Sequence, residues 1–299
     1  MMKILISGAS GLVGTHLIPT LIAKGHEVIK LVRKTPKSAG EIEWNAEKDF
    51  SESEQLKLEN FTAVIHLAGD NVASENWSAE KKRKIKESRT VGTRVLVDAL
   101  SKTKNPPKVF VSASAIGFYG DRQDEILTED SAKGVGFFPE VCSEWETEAR
   151  KVESFGARVV MPRIGIVLAK DGGALEKMLT PFKFGLGGVI GSGKQWMSWI
   201  ALDDLIKIFH FALENENLRG AVNAVAPNPV TNAEFTKTLG AVLHRPTILP
   251  LPEFAIKLLF GEMGETLLLQ GCCVLPKKLR DAGFEFEFIN FEDALKKVV

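Results

Sequence analysis

Three glycines near the amino terminus have a spacing suited to binding the phosphates of a ligand. Gly8, Gly11 and Gly14 follow the apolar run Lys3–Ser7 and open an amphipathic stretch. Glycines so placed allow a tight turn, close approach of the backbone to a phosphate, and close packing of the helix on the strand. The N–H groups at the start of the helix then face the anion. Because a second strand follows at Glu27–Val32, the sequence predicts a dinucleotide site.

The residues after that second strand bear on which dinucleotide is bound. An NAD site usually offers Asp or Glu there, roughly twenty residues beyond the glycines, to bind the free ribose hydroxyl. This chain has Arg33 and Lys34 instead, whose cationic groups can pair with a 2′-phosphate. The sequence therefore predicts NADP, with NADPH as its reduced form. The alternative is a solvated basic loop, because exposed Arg-Lys pairs are common.

Short β-branched runs alternate with longer helical patterns, and these elements must position the glycines. Strands are predicted at Val28–Val32, Ala63–Leu67, Val109–Ser112 and Arg158–Pro162. This alternation is typical of a parallel sheet covered by helices on both faces. The predicted fold class is α/β, a Rossmann-type doubly wound parallel sheet with a smaller C-terminal lobe that faces the substrate.

The pattern changes after residue 165, where Gly- and Pro-rich segments become frequent. We expect residues 1–165 to form the NADP-binding domain, completed by part of 195–228, and residues 166–299 to form the smaller lobe. Helices are predicted in this second part at Asp204–Glu214, Asn232–Leu243, Pro252–Phe260 and Phe291–Val298. No Ser/Gly linker separates the two parts, so one folding unit is expected.

Composition restricts the partners. Lys plus Arg equal Asp plus Glu at 38 each, which removes the broad attraction that nucleic acid or an anionic membrane needs. The start of the chain lacks a signal-peptide core and no apolar run is long enough to span a membrane, so we expect a cytoplasmic protein. Three cysteines without a CxxC pair and five histidines without ligand spacing predict no metal. A small polar metabolite is the expected partner, and a homodimer is left open.

Later blocks of the chain resemble an extended short-chain dehydrogenase/reductase, and more specifically the epimerase-like SDR39U1/YfcH-type family. The blocks are SRTVGTRVL (88–96), CSEWE (142–146), PRIGIVL (162–168), GLGGVIGSGKQWMSWIALDDL (185–205), NAVAPNPVTNAEF (223–235) and PKKLRDAGFEFEF (276–288). The likeness covers essentially the whole chain. It implies an NAD(P)-binding epimerase/dehydratase-like or reductase protein of unknown substrate.

The resemblance also implies a set of cofactor contacts. It places them at Gly8, Ser10, Gly11, Leu12, Val13, Arg33, Leu67, Ala68, Arg89 and Gly165. Ligands of such sheets lie beyond the carboxyl ends of the strands, and the glycine and basic motifs extend the set. These added candidates are Gly14, Lys34, His66, Gly69, Ser112 and Arg163.

Arg89 stands where most extended members have Asn. A guanidinium at that place can pair with a cofactor phosphate or with a substrate carboxylate. The alternative is that Arg89 pairs with a neighbour on its own helix, Glu87 or Asp98.

Hydride chemistry in the superfamily typically uses a YxxxK pair, whose lysine lowers the pKa of the tyrosine. The matching positions here are Cys142 and Glu146, and Tyr119 is the one tyrosine of the chain, so no shifted copy exists. A carboxylate raises rather than lowers the pKa of a neighbouring thiol. One interpretation makes Cys142 a small buried hydrophobe and Glu146 a helix-surface or ribose-bonding group. The other makes Cys142 a weak acid and Glu146 a base.

Two further side chains complete the catalytic candidates. Ser114, or Ser112 in a shifted alignment, has a hydroxyl suited to bonding a substrate carbonyl. Tyr119 is the one phenol able to donate a proton, but its apolar neighbours Ile116 and Phe118 equally permit a role in anchoring the loop.

Substrate contacts are expected at Lys194, Gln195 and Trp196. The segment has GxxxxGK spacing, yet Gln195 replaces the Ser or Thr that holds magnesium in a P-loop, so an ATPase is excluded. Polar side chains beside tryptophans are typical of a loop at a substrate cleft, although a tryptophan packed in the core is the alternative.

Two classes of function follow. The first is an NADP-dependent reductase or epimerase-like enzyme acting on a small polar substrate. The second is a dinucleotide-sensing regulator that kept the pocket and lost catalysis, since some proteins that resemble this family are linked to the division of cyanobacteria or chloroplasts. A cleft lined by Ser114, Tyr119, Lys194 and Gln195 favours the enzyme, and a closed pocket favours the sensor.

Overall fold

The structure is a computed structural model that describes all residues from Met1 to Val299. Its strands are β1 (Lys3–Ser7), β2 (Glu27–Val32), β3 (Glu41–Glu43), β4 (Ala63–His66), β5 (Val109–Ser112), β6 (Ser114–Ala115), β7 (Gln123–Leu127), β8 (Arg158–Ile164), β9 (Ile166–Leu168), β10 (Trp196–Met197), β11 (Trp199–Ala201), β12 (Gly220–Ala224), β13 (Val230–Thr231) and β14 (Cys272–Val274).

The helices alternate with these strands. They are α1 (Leu12–Ala23), α2 (Glu52–Lys57), α3 (Ala79–Ser101), α4 (Phe137–Arg150), α5 (Gly173–Lys183), α6 (Leu202–Glu214), α7 (Asn232–Leu243), α8 (Glu253–Gly264), α9 (Lys277–Asp281) and α10 (Phe291–Val298). Short turns of 3-10 helix cover Ile116–Tyr119 and Lys151–Phe155, and a π-helical turn covers Glu265–Leu269. The four helices expected after residue 200 are all present: α7 and α10 start at the predicted residue, α6 starts two residues earlier and α8 one residue later.

The central sheet has the strand order β12-β8-β5-β4-β1-β2-β3, and β6 also pairs with β8. Every pair in it is parallel. The chain runs outward through β2 and β3 on one side of β1, and through β4, β5 and β8 on the other. The point of reversal, between β1 and β4, is where α/β sheets of this kind leave a crevice for a ligand. The predicted doubly wound α/β fold is confirmed.

Both faces of the sheet are buried because successive side chains of a strand point to opposite faces. In β1, Ile4 and Ile6 enter the core beneath α1 and α6, while Leu5 enters the core beneath α3 and α4. The hydroxyl of Ser78 accepts a hydrogen bond from the Lys81 N–H and so fixes the start of α3. The sheet is therefore held rigidly from both sides, with its carboxyl edge free for a site.

The second half of the chain contributes to the sheet as well. Strand β12 pairs with β8 in parallel, with Gly220 opposite Val160 and Ala224 opposite Ile164. Helix α6 packs against α1. The sheet thus takes its last strand from beyond residue 165, while the limits of the two expected lobes stay a prediction. None of the helices combines the length and apolar composition needed to cross a membrane.

Candidate functional site

The glycine loop lies at the crevice between β1 and β4. Gly8 has a φ of 71°, and a Cβ there would lie 2.7 Å from the carbonyl carbon of Leu67. A Cβ at Gly14 would lie 2.4 Å from the Gly8 carbonyl oxygen. A Cβ at Gly11 would meet only that same oxygen, at 3.4 Å, which is close to ordinary contact. Packing therefore requires glycine at positions 8 and 14. At Gly11 the packing leaves space for the close approach of a ligand.

Helix α1 begins directly after this loop with its N–H groups uncapped. Gly11 is the N-cap, no side chain bonds the first turn, and no acidic residue lies in it. The first N–H groups of a helix have no partner within the helix and carry partial positive charge. Leu12 and Val13 are half-buried and Ser10 is exposed at this loop. The arrangement suits a pyrophosphate.

Arg33 and Lys34 follow β2, one strand away from the glycine loop. Both side chains are exposed, and no salt bridge of the structure involves either one. Their charges are therefore free for an anionic ligand.

His66 ends β4 inside the protein. Its Nδ1 lies 2.7 Å from the Ser7 hydroxyl, and its Nε2 lies 3.0 Å from the Thr93 hydroxyl. The Ser7 oxygen also accepts the N–H groups of Leu67 and Ala68, at 3.2 and 3.3 Å. Burial lowers the pKa of His66 to about 4, so the ring is neutral. Both ring nitrogens of His66 are thus engaged in holding the turn after β4 against β1, and the contact of this residue with the cofactor stays a prediction.

Arg89 reaches from α3 to the backbone that follows this turn. Its Nη1 donates to the Ile85 carbonyl at 3.0 Å and its Nη2 to the Asp70 carbonyl at 3.1 Å. A Cβ at Gly69 would lie 3.1 Å from the guanidinium carbon, which also lies 5.2 Å from the centre of the Trp145 ring. The guanidinium is thus fixed on three sides.

The alternative that Arg89 pairs with a carboxylate of its own helix is wrong. Glu87 pairs with Arg83 at 3.0 Å, and Asp98 forms no salt bridge. Burial lowers the pKa of Arg89 because the charge is partly removed from water, and the nearby Asp70 carboxylate opposes this lowering only in part.

A buried ion pair occupies the place where a YxxxK lysine would act. Glu146 on α4 accepts two hydrogen bonds from Arg163 on β8, at 2.7 Å from Nε and 2.8 Å from Nη2. The Ser114 hydroxyl donates to the same carboxylate at 2.8 Å. The side chains of Glu146 and Arg163 are 6% and 5% exposed. The carboxylate is therefore neither on the helix surface nor free to act as a base, and Arg163 is its charge partner rather than an evident cofactor contact.

Tyr119 belongs to the same buried network. Its hydroxyl accepts a bond from Arg163 Nη1 at 2.9 Å and lies 2.7 Å from Asn223 Oδ1 and 3.0 Å from the Thr128 carbonyl. The side chain is fully buried, and burial raises its pKa to about 12. These contacts support the loop-anchoring alternative over the proton donor.

Cys142 is packed as a small hydrophobe. Its side chain is buried, and a Cβ at Gly117 would lie 3.8 Å from its sulfur. Burial first, and then the charge of Glu146, raise the pKa of the thiol to about 12. The predicted direction of the Glu146 effect agrees with this, although burial is the larger cause. A thiolate at Cys142 is disfavoured.

Two buried donors near this network have no partner in the protein. The Ser112 hydroxyl, at the end of β5, and the Trp145 indole N–H lack any hydrogen bond. Buried polar groups are normally paired, so unpaired ones mark a place for water or a ligand.

Gly165 lies where β9 packs on β11. A Cβ at this position would lie 2.4 Å from the Ser198 carbonyl oxygen, so the packing of the two strands already requires glycine.

The three expected substrate residues do not converge on the Ser114 network. Lys194 is exposed, Gln195 donates to the carbonyls of Ile190 and Leu268, and the Trp196 indole donates to Asp124 at 2.9 Å. Of the three, Gln195 lines a cavity of about 210 Å³. Its other lining residues are mostly polar: Asp121, Ser192, Glu253, Glu265 and Gln270, with Leu269.

Helix α5 bridges the mouth of the crevice, a feature that the sequence analysis missed. Its first residue Gly173 and the preceding Gly172 lie against the Leu12 side chain. One turn further on, Lys177 donates to the carbonyl of Ala73, in the loop after β4. The helix thus contacts both walls of the crevice. Gly172 and Gly173, which precede a helical pattern, were the signal in the sequence from which this helix could have been predicted.

Comparisons with known proteins were made for the whole chain. Residues 4–224 match the model of the NAD dependent epimerase/dehydratase family, and residues 251–298 match a domain of unknown function, DUF1731. The chain is 41% identical to the chloroplastic SDR39U1 homolog of Arabidopsis thaliana, covering 100% of this chain and 87% of that protein. It is 40% identical to an epimerase family protein of Mycobacterium tuberculosis, covering 97% of this chain and 95% of that protein.

Solved structures agree with this. The crystal structure of human epimerase family protein SDR39U1 with NADPH matches with a TM-score of 0.90 and 35% identity, covering 99% of both chains. UDP-glucose 4-epimerase of Thermotoga maritima, crystallised with UDP-glucose, matches with a TM-score of 0.77 at 19% identity over 99% of this chain and 97% of that chain, which shows the fold alone. The suspected resemblance is confirmed: this chain belongs to the NAD dependent epimerase/dehydratase family, among its SDR39U1 relatives.

Proposed function

We propose that this protein binds NADP in the crevice between β1 and β4. The observation that carries the proposal is the uncapped start of α1 behind a loop where Gly11 keeps space open, with two unpaired cations after β2. An anion is stabilised at a helix N-terminus, and a second anion, the 2′-phosphate, suits Arg33 and Lys34. The human relative was crystallised with NADPH, which supports the choice.

The crevice offers groups suited to such a ligand on two sides. The backbone from Ser10 to Val13 would hold the pyrophosphate, and the turn at Leu67–Ala68, fixed by His66, would form the opposite wall. A nicotinamide cofactor supplies hydride transfer when it is bound. The protein's own residues orient the ligand and shield it, because α5 bridges the two walls.

The chemistry that we propose is that of an oxidoreductase or epimerase-like enzyme, with a small polar metabolite as its partner. The polar cavity beside Gln195 supports a polar substrate. Ser114 stands at the carboxyl end of the sheet, and its hydroxyl is oriented by the Glu146 carboxylate. We also propose a cytoplasmic location, and a homodimer is the oligomeric state to test by light scattering.

The second candidate function is a dinucleotide-sensing regulator without catalysis. It is favoured by the state of the candidate acids and bases. The pKa of Cys142 and that of Tyr119 are both raised to about 12, and the Glu146 carboxylate is committed to Arg163. Neither Cys142 nor Tyr119 is ready to exchange a proton near neutral pH.

Titration of the protein with NADPH and with NADH, followed by fluorescence, tests the proposal. We expect NADPH to bind at least tenfold more tightly, and Arg33→Asp to remove that preference because a carboxylate repels the 2′-phosphate and suits a free hydroxyl. Arg94→Asp is the matched control, since Arg94 is exposed on α3 and forms no salt bridge. Equal binding of the two cofactors by the unmodified protein, or no binding of either, refutes the NADP assignment.

A further inference from the structure

Seven of the fourteen large apolar side chains that are exposed lie in two short segments of the second half of the chain. Phe184 and Leu186 follow α5, and the other five, before and on α8, are Ile248, Leu249, Phe254, Leu258 and Leu259. Their exposed fractions range from 48% to 83%. We call these seven side chains the apolar face.

The two segments that carry the apolar face run side by side. The Leu251 N–H donates to the Val189 carbonyl, and the Gly191 N–H donates to the Leu251 carbonyl, both at 2.9 Å. Nearer to α5, Nε of Arg245 donates to the Lys183 carbonyl at 2.9 Å. The apolar side chains of the two segments therefore form one continuous surface.

Helix α8 is fixed on its inner side. Ile256 is fully buried, and the Leu259 carbonyl accepts a hydrogen bond from the Asn76 amide at 3.2 Å. Successive residues of a helix are turned by about 100°, so Phe254 and Leu258, each two positions from Ile256, lie on the opposite side. Packing of the inner side thus holds these two side chains towards the solvent.

The area of the apolar face is that of a protein–protein interface. Taking roughly 200 Å² for a whole side chain of this size, the exposed fractions give on the order of 900 Å². The largest apolar patch of a typical monomer is about 300 to 600 Å². A stable dimer of standard size needs about 800 Å² from each partner. The apolar face alone is large enough for this.

The charges around the apolar face differ in sign between its two sides. Lys183 and Arg245, where α5 and α7 end, are exposed and form no salt bridge. On the other side, α8 and the turn after it carry three glutamates that share two lysines, so acidic charge is in excess there. A copy of the chain turned by a two-fold axis brings the basic side of each protomer to the acidic side of the other. An anionic lipid surface fits less well, because helices that lie on such surfaces are rich in Lys and Arg.

We propose that the apolar face binds a second copy of this chain in a two-fold symmetric dimer. An axis near the middle of α8 makes the two helices antiparallel, so that Phe254 packs on the partner's Leu258. The same turn brings Arg245 towards the partner's Glu262. The inference rests on the proposed homodimer and locates its interface, whereas NADP binding does not depend on it.

Sedimentation equilibrium of the full chain over a range of concentrations tests this interface. The variants are Leu258→Glu, Phe254→Ser and Arg245→Glu. Leu56→Glu is the matched control, because Leu56 is 76% exposed on α2, outside the apolar face. Thermal melts check that each variant is folded, and NADPH is titrated separately into each.

We expect the unmodified protein and Leu56→Glu to form dimers of equal dissociation constant. Leu258→Glu should raise that constant at least about a hundredfold, because the dimer would bury two carboxylates, and Phe254→Ser should raise it about tenfold or more. Arg245→Glu should raise it roughly threefold to tenfold, with a smaller effect at high salt.

Two results would overturn the inference and leave NADP binding standing. One is an unmodified protein that is monomeric at every concentration, and the other is a dimer that Leu258→Glu weakens no more than Leu56→Glu does. Flotation with vesicles of phosphatidylcholine and phosphatidylserine adds a third comparison. A monomer that floats with these vesicles and loses this binding in Leu258→Glu would show that the apolar face binds lipid rather than a second copy.

Discussion

The buried pair of Glu146 and Arg163 leads to a strong prediction about stability. The change Arg163→Met would leave a carboxylate that is 6% exposed without a cation, and would remove a donor from the Tyr119 hydroxyl. Removing one member of a buried pair typically costs about 3 to 5 kcal/mol, because the remaining charge stays out of water. A chain of 299 residues has an unfolding entropy of roughly 0.6 kcal/mol per degree, so the melting temperature should fall by about 5 to 8 °C.

Urea unfolding followed by circular dichroism would measure this loss. The control is the double variant Glu146→Met with Arg163→Met, which removes both charges and keeps the volume. We expect it to cost only about 1 to 2 kcal/mol, for the hydrogen bonds lost by Ser114 and Tyr119. If Arg163→Met costs less than about 1 kcal/mol, or if the double variant is less stable than Arg163→Met, the ion pair does not have the role assigned to it.

The remaining predictions concern pH, the glycine loop and the crevice. The pKa of His66 falls from 6.5 to about 4 on folding, so the unfolded chain binds a proton more readily than the folded protein. Up to about 3 kcal/mol of stability should therefore be lost as the pH falls from 6.5 to 4. Urea titrations at several pH values check this, and a His66→Gln variant with the same pH dependence would contradict it. Gly14→Ala should destabilise the protein because its Cβ would lie 2.4 Å from a carbonyl oxygen, whereas Gly11→Ala should stay folded in thermal melts and lose NADPH affinity. Lys177→Ala should release NADPH roughly threefold to tenfold faster in stopped-flow measurements because the bridge to the loop after β4 is lost, with Lys183→Ala as the unchanged control; equal release rates would show that the bridge does not retain the ligand.

The glycine loop and the sheet could be predicted because their signals are local. The spacing of Gly8 and Gly14 indicates positions where a side chain cannot be placed, and in the structure a Cβ at either glycine would lie 2.4 to 3.0 Å from backbone atoms. The strands could be located because each is a short apolar run with polar or glycine-rich ends. Arg33 could be placed at the end of β2 for the same reason.

The side-chain network could not be predicted because its members are distant in the sequence. Glu146 meets Arg163 across 17 positions, and Tyr119 meets Asn223 across 104. Nothing in the residues around Glu146 indicates that a strand will bring a guanidinium to it. The residue spacing showed that the conventional YxxxK pair is absent. The cation that stands in place of its lysine is Arg163, and tertiary packing brings it there.

The ion pair also limits how this chain can change by mutation. Restoring a tyrosine and a lysine at Cys142 and Glu146 would set the new ammonium beside the buried guanidinium of Arg163, where the carboxylate now accepts two bonds. Two unscreened like charges in the interior repel each other strongly. The larger ring at position 142 would also press on Gly117 and Phe138, which already pack tightly there. A return to the conventional dyad therefore requires at least a third substitution, at Arg163, and each single step towards it passes through a less stable protein.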